Sequence, residues 1–326
     1  MPLLEVDNLH VRLQTQRGPA TAVRGISFSL ERGEMLGLVG ESGCGKSITV
    51  QSLTGLLPAS ARVTGSIRFD GIELVGRSER DMCKLRGNRI GMVFQEPMTA
   101  LNPLHTVARQ VGEPLRLHRG LSAAAARRES LALLERVGIP DAATRLDAYP
   151  HQFSGGQRQR IGIAMALACG PDLLIADEPT TALDVTIQQQ VLELIRELVA
   201  ERGMALILIS HDLGVIAQSV SKMLVMYGGS VVESGPTATV FAERAHPYTQ
   251  GLFAARPALD AARGGRLATI RGSVPELIDL PPGCPFAGRC GHTIDACHTT
   301  RPAPEALPHG HTVRCIRLHE IAVQSA

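Results

Sequence analysis

The residues best suited to chemistry are Gly40-Glu41-Ser42-Gly43-Cys44-Gly45-Lys46-Ser47, which fit G-x-x-x-x-G-K-[ST]. Glycines at this spacing let successive backbone N–H groups wrap an anion, and a following helix N-terminus adds a favourable dipole. The spacing places Lys46 on the β- and γ-phosphates of a nucleoside triphosphate and Ser47 on Mg²⁺. Gly40, Ser42, Gly43, Cys44 and Gly45 supply the cradle, and Cys44 reads as a small residue contributing its N–H rather than as a regulatory thiol. A glycine turn that precedes a lysine by chance is the rival reading. The context opposes it, because an apolar strand, Met35–Val39, comes before and a helix from about Lys46 to Leu57 follows.

Two further groups carry chemistry. The apolar run Leu173–Ala176 ends in Asp177-Glu178, where the first acid suits the Mg²⁺ environment and the second can polarise a water. Upstream, Ser154-Gly155-Gly156-Gln157 opens a helix from about Arg158 to Ala168, a second anion-receptive site without a lysine.

Up to about Phe253, short apolar strands alternate with helical segments, which predicts an α/β sheet. A helix over Val185–Glu201 precedes a strand over Ala205–Ile209. Gln110–Asp147 reads as mainly helical, firmest over Ala123–Val137, and predicts a helical subdomain over about 104–170. From Arg256 onward Pro, Gly, His and Cys dominate and the helical periodicity stops. The division is therefore 1–255 for the nucleotide-binding α/β domain and 256–326 for a small Cys/Pro-rich C-terminal segment with too little core of its own.

Composition narrows the function. In 326 residues, Lys+Arg 33 against Asp+Glu 31 leaves a net charge of +2, so bulk charge points to no nucleic acid or acidic lipid. Aromatics at 3%, with no Trp, argue against a base-stacking platform. No apolar run approaches the about 20 residues that span a bilayer, and the N-terminus lacks a signal layout, so a cytoplasmic protein is expected.

Four of the seven cysteines crowd the tail. Cys284, Cys290, Cys297 and Cys315 follow C-x₅-C-x₆-C-x₁₇-C, with a Pro-Pro-Gly turn at 281–283 and Pro285 around the first. In a reducing compartment such a set reads as metal-binding before disulfide-forming. Structural zinc favours C-x₂₋₄-C pairs, which are absent, and the wider spacing suits an iron–sulfur cluster; zinc and inert thiols stay open. His292, His298, His309 and His311 read as solvated loop residues, one of which could replace a cysteine as ligand.

Taken together, these residues resemble the ATP-binding subunits of ABC transporters over about residues 4–255. The phosphate loop at 40–47 matches Walker A, Asp177-Glu178 closes Walker B, and Ser154–Gln157 matches the signature motif, with Phe153 where Leu is commoner. Gln95 in Val93-Phe94-Gln95-Glu96-Pro97 matches the Q-loop, Thr181-Ala182-Leu183-Asp184 the D-loop, and His211 after Leu208-Ile209-Ser210 the switch histidine, all in family order. Singly, Gln95 reads as a loop residue, His211 as a strand-end histidine and Asp184 as a helix cap.

The resemblance implies an ABC-type P-loop ATPase fold, a RecA-like sheet core plus a helical signature subdomain. It implies two such domains head-to-tail, with ATP between one phosphate loop and the opposite signature helix. Glu178 is then the general base, His211 steadies the γ-phosphate, and Gln95 connects Mg²⁺ to membrane subunits. Ser154, Gly155, Gly156, Gln157 and Asp184 contact the partner's ATP or link the two sites. One departure stands out: the family stacks adenine on an aromatic near the first strands, and Leu13–Thr21 has none, leaving Leu13 or Arg17 to pack the base.

Longer stretches are similar to the di/oligopeptide and nickel importer branch, nearest its dipeptide-permease ATPases. They are GESGCGKS, FQEPMTALNP, ADEPTTALDVTI, YPHQFSGG and His246-Pro247-Tyr248-Thr249, together with a cysteine-bearing tail. The resemblance implies a 4Fe–4S cluster on the four cysteines and a homologous, non-identical ATPase partner. It also implies two transmembrane permease subunits, a periplasmic or extracellular substrate-binding protein, and a place on the cytoplasmic membrane face. Nickel, glutathione and antimicrobial-peptide importers share these motifs. A soluble ABC ATPase of DNA repair or translation is a rival class, opposed by the absence of long heptad insertions, a second ATPase domain and basic linkers.

Overall fold

A computed structural model describes residues 1–95, 100–180, 183–255 and 269–321. Glu96, Pro97, Thr181 and Ala182, named above, lie outside the described residues, as does 256–268 of the tail. The chain forms two compact units. The first comprises Met1–Leu3, Leu30–Met35 and Asp70–Ile209; the second comprises Leu4–Ser29, Leu36–Phe69 and Ser210–Ala326.

The first unit is built on parallel strands Ile90–Val93, Leu173–Asp177 and Ala205–Ile209, with Ile90 opposite Leu173 and Asp177 opposite Ile209. Every residue of the last two strands is buried, as continuous apolar runs in a parallel sheet must be. Helices Val107–Arg119, Ala123–Arg136 and Gly155–Leu167 pack on one another and form the expected helical part. Its joints are polar. Buried Gln110 accepts from the Asn102 N–H at 2.8 Å and donates to the carbonyls of Asn102 and His105 at 3.0 and 2.9 Å. Arg127 and Asp147 form a two-pronged ion pair at 2.6 and 2.7 Å.

The second unit holds an antiparallel pair, Leu4–Thr15 with Arg62–Phe69, whose register slips between Asp7 and His10. Asn8 takes a left-handed φ of 45° there, and a Cβ on Gly65 would sit 2.4 Å from the Asn8 carbonyl oxygen, so the bulge requires that glycine. Strand Met35–Val39 runs parallel to Lys222–Tyr227, which turns through Gly228-Gly229 into antiparallel Ser230–Pro236. Both glycines have positive φ, 52° and 76°, as a two-residue hairpin of this hand demands.

The tail departs from the expected coreless appendage. Thr312–Val313 pairs with Ser230–Pro236 and Glu305–Ala306 pairs with Thr312–Val313, extending the sheet of this unit. Val313 is fully buried in a small cluster with Ala245 and Leu318. Two-residue strands carry no readable periodicity, which is why the sequence hid them. Helix ends also shift. The phosphate-loop helix stops at Thr54 rather than Leu57, because Gly55 caps it in a left-handed conformation at φ 64°.

Candidate functional site

The phosphate loop turns on glycines that no other residue can replace without strain. Gly40 has φ 149°, and a Cβ there would meet the Met226 carbonyl oxygen at 2.3 Å; Gly45 has φ 102° and faces the Ala22 carbonyl at 2.7 Å. Lys46 is buried, and its Nζ donates to the carbonyls of Gly40 at 2.8 Å and Glu41 at 3.2 Å. The ammonium is thus pre-placed inside the loop. Cys44 is fully buried and its thiol is pushed up by burial, the opposite of a reactive thiolate. Ser42 and Gly43 are exposed and Ser47 half-buried at the helix start.

The loop is anchored from below. The Gly229 N–H donates to the Cys44 carbonyl at 3.0 Å, and a Cβ on Gly229 would meet the Ala22 oxygen at 2.6 Å. The Glu41 N–H donates to the buried Tyr248 hydroxyl at 2.8 Å. Tyr248 packs with Tyr227 and Phe286, ring centroids 4.7 and 5.3 Å away. Arg289 closes on the Glu41 carboxylate with two bonds, at 2.6 and 3.0 Å, while also donating to the Tyr227 hydroxyl at 3.3 Å. Sequence reasoning missed Gly229, Tyr248 and Arg289 as site residues. His246-Pro247-Tyr248-Thr249 was singled out only as a branch marker, and nothing local links Arg289 to residue 41.

In the same unit, His211 is exposed on a turn whose neighbours are tied down. The Ser210 N–H donates to the Leu38 carbonyl at 3.3 Å, and Asp212 caps helix Leu213–Ser219 through the Gly214 N–H at 2.7 Å.

In the first unit, Asp177 is buried at the C-terminal end of its strand. Glu178 follows in a left-handed conformation, φ 45°, with its N–H donating to Ile209 at 3.1 Å. The Gln95 Nε2 donates to the Glu178 Oε2 at 3.1 Å, so the expected Q-loop residue and the expected base meet directly. A half-buried carboxylate oriented by an amide and adjoining a buried aspartate can accept a proton from water.

The signature residues cap their own helix. The Ser154 hydroxyl accepts from the Gln157 N–H at 3.3 Å, and the Gln157 side chain accepts from the Ser154 N–H at 3.2 Å. A Cβ on Gly155 would meet only Leu183 Cδ2, at 3.9 Å, whereas one on Gly156 would meet Ile187 Cγ2 at 2.7 Å. Asp184 caps helix Val185–Arg202 by accepting from the Ile187 N–H at 3.0 Å, so it does act as a cap. Phe153 is buried beneath the Arg145 guanidinium, 4.1 Å from the ring centre.

The tail cysteines converge. Cys284, Cys290, Cys297 and Cys315 line one small cavity, and all seven cysteines of the chain are free thiols. The Cys284 N–H donates to the Cys297 carbonyl at 2.8 Å, and Gly283 admits that approach, since a Cβ there would sit 2.3 Å from the same oxygen. The His292 N–H points at the Cys290 sulfur at 3.4 Å. Burial pushes the Cys284 thiol up to about 11. Among the described residues no group of three or more His, Cys, Asp or Glu side chains is arranged to hold a metal ion. His292, His298 and His309 are exposed as expected, but His311 is not: it is buried between Glu233 at 2.8 Å and Glu243 at 2.7 Å. Two carboxylates on separate elements capture its ring, which neighbouring sequence cannot reveal.

Comparison with known proteins agrees with this geometry. Residues 23–181 match the ABC transporter family and residues 232–297 the oligopeptide/dipeptide transporter C-terminal region. The chain is 52% identical over 315 residues to the dipeptide transport ATP-binding protein DppD of Bacillus subtilis (strain 168), covering 96% of this chain and 94% of that protein. It is 49% identical over 315 residues to the oligopeptide transport ATP-binding protein OppD of Salmonella typhimurium, covering 97% and 93%. Among solved structures it is similar to the dimeric ATP-binding cassette MJ0796 in a post-hydrolysis state bound to ADP and Pi. That match has a TM-score of 0.65 and 27% identity, over 72% of this chain and 98% of that one. A self-contained phosphate loop, an amide-held carboxylate after a buried aspartate and a self-capped glycine helix start are the parts of an ATP-hydrolysing cassette, and the chain belongs to the ABC transporter ATP-binding subunit family.

Proposed function

We propose that the chain is the ATP-hydrolysing motor of an importer for dipeptides or oligopeptides. The observation that carries this reading is the match of residues 232–297 to the oligopeptide/dipeptide transporter C-terminal region, on a chain with an intact cassette. Residues 1–255 form the ATPase domain, with its helical subdomain over about 104–170, and 256–326 form the Cys/Pro-rich segment. The motor works at the cytoplasmic membrane face with a homologous ATPase subunit, two permease subunits and a substrate-binding protein. No described helix is long and apolar enough to cross a membrane, so spanning falls to other subunits.

The chemistry follows from the side chains. The loop N–H groups of Gly40–Ser47 and the Lys46 ammonium bind the triphosphate. Ser47 and Asp177 would hold Mg²⁺, which would supply neutralising charge for the phosphate oxygens. Glu178 takes the proton of the attacking water while Gln95 holds its carboxylate in place, and His211 steadies the γ-phosphate. Ser154, Gly155, Gly156, Gln157 and Asp184 act on the partner's nucleotide. Glu178→Gln should bind ATP and keep the dimer closed while turnover falls by at least about 100-fold. Unimpaired hydrolysis in that variant removes Glu178 as the base.

The four tail cysteines are proposed to hold a 4Fe–4S cluster, with zinc as the alternative. What supports this reading is that the four free thiols line one small cavity and that the His292 N–H points at the Cys290 sulfur. Such a cluster would staple the stretches that carry Cys284, Cys290 and Cys297 to the one that carries Cys315. Iron and acid-labile sulfide near four each per anaerobically purified chain support it. One zinc without sulfide replaces it with a zinc staple.

A further inference from the structure

The family's aromatic adenine platform is missing from Leu13–Thr21, yet beside the phosphate loop lies a cleft of about 600 Å³. That size is within the ordinary range for small-ligand sites. Ser42 and Gly43 form its phosphate-loop end, Leu13 and Ala20 one side, and Val274 and Ile278 of the tail the other. We infer that residues 274–278 of the C-terminal segment form one wall of the purine-base pocket, so that an aliphatic slot spanning sheet and tail replaces the missing aromatic stack.

The inference rests on the reading that residues 40–47 bind a nucleoside triphosphate. Three observations carry it beyond that reading. First, the slot opens directly from Ser42 and Gly43, the exposed residues of the phosphate loop, so a ligand anchored there by its phosphates extends into it. Second, the tail wall is fixed to the opposite side. Arg17 pairs with Glu276 at 2.7 Å and grips Asp279 with two bonds at 2.7 and 2.8 Å. Ile278 packs over Gly18, its Cδ1 3.9 Å from where a Cβ would stand. Third, the latch offers no spare positive charge: one guanidinium against two carboxylates is net negative, so the slot suits a neutral flat ring better than another phosphate group.

The turn that carries Arg17 is held locally, with the Thr15 hydroxyl donating to the Gly18 carbonyl at 2.6 Å and accepting from the Arg17 N–H at 3.2 Å. On the loop side, the Arg289–Glu41 pair ties the same tail to the phosphate loop, with the Arg289 side chain only 7% exposed. The base wall and the phosphate cradle therefore share one support. The Arg17 latch is more than half exposed, which makes it weak and salt-sensitive.

The test is calorimetric titration of the full chain with ATP and, separately, inorganic tripolyphosphate, both with Mg²⁺. Ile278→Asp should weaken ATP binding roughly tenfold or more while tripolyphosphate binding stays unchanged, because a charge enters the apolar slot and not the cradle. Arg17→Ala, an exposed change that spares the core, should weaken ATP severalfold. The wild type should approach the Arg17→Ala value at about 1 M salt. ATP binding unchanged in both variants overturns the inference, as does an equal loss of ATP and tripolyphosphate. A wild-type chain that binds neither ligand overturns the nucleotide reading itself, an outcome distinct from both.

Discussion

Two helices in this protein start from glycine-bearing turns, and the two starts differ in almost every physical detail. The helix Lys46–Thr54 begins from a left-handed glycine, has no side-chain cap and carries a buried lysine folded into its own loop. The helix Gly155–Leu167 begins from Ser154, closes a reciprocal cap with Gln157 and carries no lysine. Its foremost glycine is exposed, with nothing nearer than 3.9 Å to an added Cβ. The first has no side-chain cap and holds its cation inside the loop, on the Gly40 and Glu41 carbonyls. The second has satisfied what it can by itself and offers an open, dipole-bearing surface. A cradle around a buried lysine and a self-capped glycine start are different designs, and the site proposed to be shared with a homologous ATPase subunit would use one of each.

The largest test of this contrast is Lys46→Ala. Losing a buried charge-assisted donor should weaken ATP binding roughly 10- to 150-fold, measured by calorimetry on the isolated chain. A similar affinity in the variant would mean that the loop N–H groups suffice and that the lysine is not what separates the two helix starts. Gly155→Val addresses the other side. No described atom comes nearer than 3.9 Å to a Cβ on the exposed Gly155, so folding and ATP binding by the isolated protein should stay unchanged, while hydrolysis by the assembled complex falls at least about tenfold. Normal hydrolysis by the complex would remove the second helix start from the shared site.

A smaller effect is expected at Gly40→Ala, where the new methyl meets a backbone carbonyl and the residue must keep φ near 149°. Stability should drop by about 1–3 kcal/mol in urea unfolding, with the loop distorted. The smallest is Ser154→Ala, which removes one half of the reciprocal cap and should cost about 1 kcal/mol. If the cap were instead consumed in ligand binding, hydrolysis would fall more than stability does.

Much of the catalytic apparatus was legible because its chemistry is local. The phosphate loop needs residues contiguous in the chain, and Ser154 with Gln157 completes its cap within one helical turn. The same holds for Asp184, whose capping bond reaches only to residue 187. The Gln95–Glu178 contact was not readable from pattern, since it joins residues 83 positions apart. Nor was the burial of His311, which a composition rich in Pro, Gly, His and Cys made look solvated. The tail strands escaped for another reason, because two residues are too few to show an alternation.

By itself the sequence determined the parts whose function lies in backbone conformation and near neighbours: the glycine cradle, the acid pair at a strand end, the capped signature helix and the cysteine-rich tail. Tertiary structure alone decided what those parts rest on. It brought Tyr248 under Glu41, closed Arg289 on the same carboxylate, set Arg17 between Glu276 and Asp279, and gathered four cysteines around one cavity. The division has a physical cause. Positive φ, capping and helix dipoles act over a few residues, whereas ion pairs, cavities and buried rings depend on chain segments that meet only when the sheet and tail are folded.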